Sequence, residues 1–297
     1  MKKYIFILFL FSLILVLMFI RYPLVINDVK KSIDVLLNSF IPSLLPYIIV
    51  ISLFKELGGF DVLGYIFQFI FKPLLNIDYK CSYLVLAGLI SGYPLPSLLL
   101  SNESKITKKE EQIISIFVFP SFSFLLTQIV PYTGFKIISL FIISSFVLYF
   151  LLSLKDKEKV EYLHFSTLKE LLKMRYNKIN FSMMYRKVII NSVINMVVIS
   201  ANVVIFSFIC ALLPQISRFT PLLQGLLEFS RPSLKLVVEG SFVSNIILII
   251  VLLFGGLSIF MQNSAIMVNT NFSVKRYMRY RLMLIGVTLL LSILIFF

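Results

Sequence analysis

Apolar residues fall along this chain in blocks, roughly at 4–20, 40–57, 62–78, 82–100, 112–130, 134–154, 188–213, 220–240, 243–262 and 280–297. About 20 apolar residues in a helix cross a bilayer, so the pattern predicts an all-α, polytopic helical membrane protein. Charges collect in short stretches between the blocks, whereas the amphipathic helices of a soluble fold carry them along one face. Several blocks are interrupted. LVLAGLISGYPLPSLLL (84–100) is broken by Ser91-Gly92-Tyr93-Pro94 and Pro96. Proline removes a backbone donor and glycine weakens a helix. Irregular backbone at membrane depth is tolerated only where it is buried in protein or lines a polar cavity. Further interruptions lie at Phe119-Pro120-Ser121 and in GLLEFSRPSLKL (225–236), and Gly255-Gly256 would allow close backbone approach. Asp28 to Ser39 spaces Val29, Ile33, Leu36 and Leu37 as an amphipathic helix on the membrane surface would, or as a solvated linker with an apolar face.

Composition sharpens this picture. The 297 residues are 59% hydrophobic with a mean hydropathy of +0.97. There are 28 Lys and Arg against 14 Asp and Glu, a balance that suits either nucleic acid or an anionic membrane surface. Position decides between them. Much of the excess lies in Lys155–Lys187 and Lys275–Arg281, which flank apolar blocks in the positive-inside pattern. The lipid bilayer is therefore the expected partner, with no nucleic acid, and both basic segments are expected to face the cytoplasm. Cys81 and Cys210 sit in or beside apolar blocks and imply no disulfide framework. The single histidine, His164, falls in the basic segment, which removes histidine-based metal sites and catalytic triads. No phosphate-binding loop is present. The expectation is a protein that is not an enzyme and needs no metal or cofactor. MKKYIFILFLFSLILVLMFIRYP starts like a signal peptide but has no small-x-small cleavage site before Arg21, so it reads as an uncleaved first helix. The organisation expected is a first helix and linker (1–39), a first repeat (40–154), a basic cytoplasmic loop (155–187), and a second repeat with the C-terminal helix (188–297).

Interrupted segments at corresponding places in two halves point to a transporter with an internal repeat and a site near the midplane; simple proline kinks are the alternative. The first half contributes Ser91, Gly92, Tyr93, Pro94 and Ser121 as candidate substrate contacts, and the second Glu228, Ser230, Arg231, Gln262 and Asn263. An ionisable group inside an apolar segment is costly, which singles out Glu228. Arg231, three residues on, is placed to pair with it, either as part of a site or as architecture alone. Gln262 and Asn263 supply amide donors and acceptors. The break at 91–96 is expected to face Glu228–Pro232, with Tyr93 and Phe229 free to stack on an aromatic solute. Thr107-x-x-Glu110 has the spacing of a helix-starting capping box.

SLLPYIIVISLF (43–54), SGYP (91–94), KITKKEE (105–111), GLLEFS (225–230) and FGGLSIFMQNS (254–264) form an ordered set. In that set the chain resembles the sporulation integral membrane proteins of the YlbJ type, which carry nucleoside-recognition or Gate repeats. It departs from their usual pattern at Leu95-Pro96-Ser97, near Pro120, and at Arg231-Pro232. The resemblance implies two Gate-like repeats with broken or re-entrant helices, and a transporter of dipicolinate, a small aromatic dicarboxylate, in the outer forespore membrane, with a homo-oligomer possible. The alternatives are a cation-coupled nucleoside or other small-solute carrier, and a non-transporting scaffold for spore assembly.

Overall fold

The computed structural model describes residues 2–101, 103–154, 160–213 and 220–296, and among them it is helical throughout, with no strand. The chain begins with α1 (Lys2–Ile20), α2 (Tyr22–Val35), a π-turn (Leu36–Phe40) and α3 (Ile41–Glu56). Then follow α4 (Gly59–Leu75), α5 (Tyr79–Ser91) and the six-residue α6 (Leu95–Leu100). After a polar turn comes α7 (Lys108–Ile116), an unwound stretch (117–121), and α8 (Phe122–Phe124), joined by a π-turn (Leu125–Ile129) to α9 (Val130–Thr133). The first half ends with α10 (Lys136–Ser153). The second contains α11 (Phe165–Lys178), the 32-residue α12 (Phe181–Leu212), α13 (Thr220–Leu227), α14 (Ser230–Glu239), α15 (Phe242–Phe254), α16 (Gly256–Ile266) and α17 (Val274–Phe296).

By length and composition, Lys136–Ser153, Phe181–Leu212 and Phe242–Ile266 are fit to cross a membrane. Counting two bent pairs as single spans gives up to five among the described residues. One of those pairs, α4 with α5, turns through 92°. The segment 28–39, expected as a surface helix or linker, is helical and packs on α12, with Ser32 and Leu36 buried.

The connections at one end of the bundle are bound to each other by polar contacts, and this end is called the polar end below. Thr107 and Glu110 form the expected capping box in both directions, starting α7 where an uncapped helix would leave its first amides unpaired. Glu111, only 1% exposed, accepts from the backbone of Ser273 and from Arg276, which ties the start of α7 to the start of α17. Asn271 holds both the amide and the carbonyl of Ile106. Lys80, at the start of α5, pairs with Glu103, just past α6, at 3.8 Å, so the two ends of the α5–α6 pair lie together.

The basic segment is held against this end along its described part. Arg175 of α11 bonds to Asp61 at 2.7 Å and to the carbonyls of Lys55 and Glu56. Gln68 of α4 donates to the carbonyl of Leu163 and accepts from its amide. Phe69 stacks on Tyr162, whose other partner is the Lys72 ammonium 3.3 Å from the ring centre. Each contact alone stabilises modestly, but together they hold residues 160–178 as a strap over α4.

Candidate functional site

Four helix breaks meet in two crossings. In the first, α5 ends at Gly92, whose φ of +66° and ψ of −154° is a backbone open to glycine and costly for any residue with a Cβ. Glycine is needed there twice over. A Cβ at Gly92 would lie 2.3 Å from the carbonyl oxygen of Phe119 and 2.6 Å from the amide nitrogen of Ser121. The break of α5–α6 is thus seated directly on the unwound stretch 117–121, and the Tyr93 amide donates to the Phe119 carbonyl at 3.0 Å. Ser121 caps the start of α8 by accepting from the Phe124 amide at 3.2 Å.

The second crossing repeats the first. Gly255 and Gly256 have φ of +75° and +79°, and a Cβ at Gly256 would lie 2.8 Å from the carbonyl oxygen of Leu227 and 3.0 Å from the amide nitrogen of Glu228. The break between α15 and α16 therefore sits on the break between α13 and α14. Glu228 is buried, and its carboxylate accepts from the backbone amide of Ser230 at 3.0 Å and from the Ser230 hydroxyl at 2.9 Å. It thereby satisfies donors at the start of α14, where the helix dipole favours an anion.

Between the crossings lies Arg281, on α17. It is the bulkiest side chain in the structure to be wholly buried, at 0% exposed. Its Nη2 donates to the carbonyl of Val118, freed by the unwinding of α7. Nε and Nη2 donate to the Tyr277 hydroxyl at 3.2 and 3.1 Å, and Asn263 donates to the same oxygen at 3.2 Å. The guanidinium carbon stands 5.0 Å from the centre of the Tyr93 ring and 5.3 Å from that of Tyr277. Cation–π contacts of this kind are worth up to about 2 kcal/mol when desolvated. Two polar atoms of this network are among the five buried and unmatched in the described residues: Nη1 of Arg281, a donor, and Oδ1 of Asn263, an acceptor. No carboxylate of the described residues lies within 4.0 Å of the guanidinium. A buried cation without an anionic partner costs several kcal/mol, so this arrangement calls for a compensating group.

The residues singled out from the sequence are distributed as follows. Gly92, Tyr93, Pro94 and Ser121 come together in the first crossing. Glu228 and Ser230 lie at the second, and Asn263, 2% exposed, joins the Arg281 network through Tyr277. Gln262 is buried beside Asn263 in α16. Ser91 points elsewhere and bonds to Tyr47 of α3. Arg231 lies in α14, but its side chain, and so its expected pairing with Glu228, falls outside the described residues.

Two expectations are corrected. The break at 91–96 faces the unwound stretch 117–121 of its own half, because glycine at 92 admits backbone-to-backbone contact there; Tyr93 reaches from it to the second half. That ring packs 6.3 Å from Phe229, its hydroxyl donates to the Leu253 carbonyl at 3.5 Å, and Phe229 in turn meets Phe124 at 5.7 Å. The aromatic pair expected to hold a solute is thus packed against itself. The second correction concerns Lys275–Arg281. Lys275, Arg276 and Arg279 are exposed, but Arg281 points into the protein and belongs to the site.

Arg281 and Tyr277 carry this network and were not among the sequence candidates. The available signal was position: Arg281 lies inside the apolar block 280–297, and Tyr277 is one helical turn before it, at i and i+4. Comparison with known proteins adds no constraint, since no family model, no curated protein and no solved structure matches the chain.

Proposed function

We propose that the chain is a membrane carrier for a small organic anion, moved by alternating access without covalent chemistry. The observation that carries this reading is the buried guanidinium of Arg281, with an unmatched donor and no acid beside it, where two pairs of broken helices cross. A carboxylate accepting from Nη1 would supply the missing charge, and guanidinium–carboxylate pairs are strong and directional. Asn263, whose side-chain oxygen is unmatched, would accept from a donor on the solute. The eleven-residue α16 begins at the second crossing with no side-chain cap, and the positive end of its dipole favours an anion nearby; that of α14 is already met by Glu228.

In this reading α5–α6 is a re-entrant hairpin that enters from the polar end, supported by the Lys80–Glu103 pair across its base. The α13–α14 pair is its counterpart from the opposite end, supported by the packing of α14 on α9 and the preceding π-turn. The broken spans are α7 through α9 and α15–α16. Two halves of opposite orientation follow, as in transporters built from inverted repeats. The polar end, which carries the basic segments, faces the cytoplasm of the cell that makes the protein. The resemblance in SGYP, KITKKEE, GLLEFS and FGGLSIFMQNS directs the substrate proposal to dipicolinate and the location to the outer forespore membrane. The scaffold alternative needs residues 155–187 as a partner-binding arm. The strap contacts on α4 already occupy part of that segment, which weighs against it.

The test is uptake by purified protein in proteoliposomes offered labelled dipicolinate and labelled uridine separately. Dipicolinate should accumulate above protein-free vesicles and uridine should not. Uptake of uridine alone would replace the anion reading by the nucleoside one, and uptake of neither would overturn the substrate proposal.

A further inference from the structure

A cavity of about 230 Å³ lies among α3, α6, α12 and the end of α16, away from Arg281. Its wall is unusually polar for a membrane bundle: Lys55, Glu56, Lys187, Asn191, Asn195 and Asn269 all border it. Lys187, Asn191 and Asn195 follow one another at intervals of four, so they form one stripe running along α12 from its polar-end start toward mid-helix. A polar stripe on a long apolar helix is costly unless it faces protein or water, and this one faces the cavity. Two lysines against one glutamate leave the cavity net positive, and Arg175 is bonded to the carbonyls of Lys55 and Glu56 at its edge. Lys55 also donates to the Leu99 carbonyl, near the end of α6. At its inner extent the cavity reaches Leu95, two residues after Tyr93, whose ring covers the Arg281 guanidinium.

We infer that this cavity is a vestibule with its own anion subsite, through which a soluble carboxylate or phosphate passes between the polar end and the crossing of the broken helices. The inference rests on the carrier reading for what passes through it. Its anion preference stands on the lysines and carboxamides alone. A cleft of net positive charge raises the local concentration of anions, so an anionic probe should be enriched there relative to a cationic one. Lys55 and Lys187 supply the charge, and Asn191 and Asn195 supply donors and acceptors for the remaining polar groups of the solute. Glu56 limits the preference to a single net charge.

The experiment uses the full chain in lipid nanodiscs with Cys81→Ser and Cys210→Ser, carrying one new cysteine: Asn195→Cys in the cavity, or Ser166→Cys on the exposed face of α11 as reference. Each is reacted with a sulfonate-bearing and with a trimethylammonium-bearing methanethiosulfonate. The ratio of anionic to cationic rates should be about tenfold higher at position 195 than at 166. Adding Lys187→Gln, at an exposed position of α12, should bring that ratio down toward the reference. Succinate or inorganic phosphate should slow the reaction at 195 and leave 166 unchanged. No reaction at 195 with either reagent would mean a sealed cavity, and an unchanged ratio would mean a polar but unselective one; either overturns the vestibule. Protection by phosphatidylglycerol in the disc but not by soluble succinate would assign the cavity to a lipid head group and overturn it as well. All of these outcomes are read without transport, so the vestibule can fail while the carrier stands. If the anion preference holds but the proteoliposomes take up no anion, it is the carrier that fails.

Discussion

Replacing Arg281 by methionine is expected to abolish anion uptake while leaving the protein as stable as the parent or more so. The two effects separate function from architecture. Burying a charge without a counter-charge costs several kcal/mol, and exchanging it for an apolar group of similar length removes that cost. The methionine variant forfeits the bond to the Val118 carbonyl and those to Tyr277, worth roughly 1.5–3 kcal/mol each for a charged donor. The opposing terms are of similar size, so thermal unfolding in detergent should move little. Uptake should fall below detection, because the one buried cation at the crossing is gone. Arg281→Lys is the finer probe. A lysine keeps the charge but offers a point donor in place of the planar fork, so apparent affinity should fall about 10- to 100-fold, or ~1.4–2.7 kcal/mol. If the methionine variant is strongly destabilised and the lysine variant transports like the parent, Arg281 is a cap for the broken α7, and its unmatched donor has no functional meaning.

The second large effect is expected at Gly92. Alanine there meets two separate penalties: a backbone conformation costing about 1–3 kcal/mol for a residue with a Cβ, and a collision with the Phe119 carbonyl that only backbone movement relieves. Overpacking of this kind costs about 1–3 kcal/mol more. Together these approach the whole stability of a marginal fold, so Gly92→Ala should fail to yield folded protein. Gly134 provides the control. Its φ of +60° and ψ of −162° nearly match those of Gly92, yet nothing lies within 4 Å of where a Cβ would be. Gly134→Ala should therefore show the backbone penalty alone, as a lowered unfolding temperature in a protein that still folds. Equal behaviour of the two variants would show that the close crossing contributes nothing.

Much of this fold was legible in the sequence because its signals are local. Apolar block lengths, the capping box at Thr107, and the glycines and prolines of three of the four helix breaks all announce themselves within a few residues. The site was legible only in part, because it depends on which break meets which. Nothing in SGYP says that its partner is FVFPS of the same half rather than LEFS of the other; that choice is made by a carbonyl fitting where a side chain is missing. Arg281 was obscured for a related reason. It ends a run containing Lys275, Arg276 and Arg279, and as a block these read as cytoplasmic charge. Helical geometry divides them: Arg276 and Arg279 are exposed, whereas Arg281 shares a buried face with Tyr277. The strap over α4 was hidden as well, since Gln68 and Leu163 are 95 positions apart and neither stands out in its own segment.

The two crossings and the contact between them differ mechanically. Backbone seated on backbone, as at Gly92 with Phe119 and Gly256 with Leu227, leaves no room to slide, so under the carrier reading each crossed pair would move as one piece. Between the pieces stands the ring of Tyr93, a side chain with two rotatable bonds. It lies against Phe229, points its hydroxyl at Leu253, would meet any Cβ placed on Gly255 at 3.0 Å, and shields one face of the Arg281 guanidinium. A single rotamer change there exchanges all of these contacts and breaks one long hydrogen bond. Under the carrier reading, Tyr93 is therefore the joint at which the two pieces would part, and the position of one aromatic ring would decide when the centre opens.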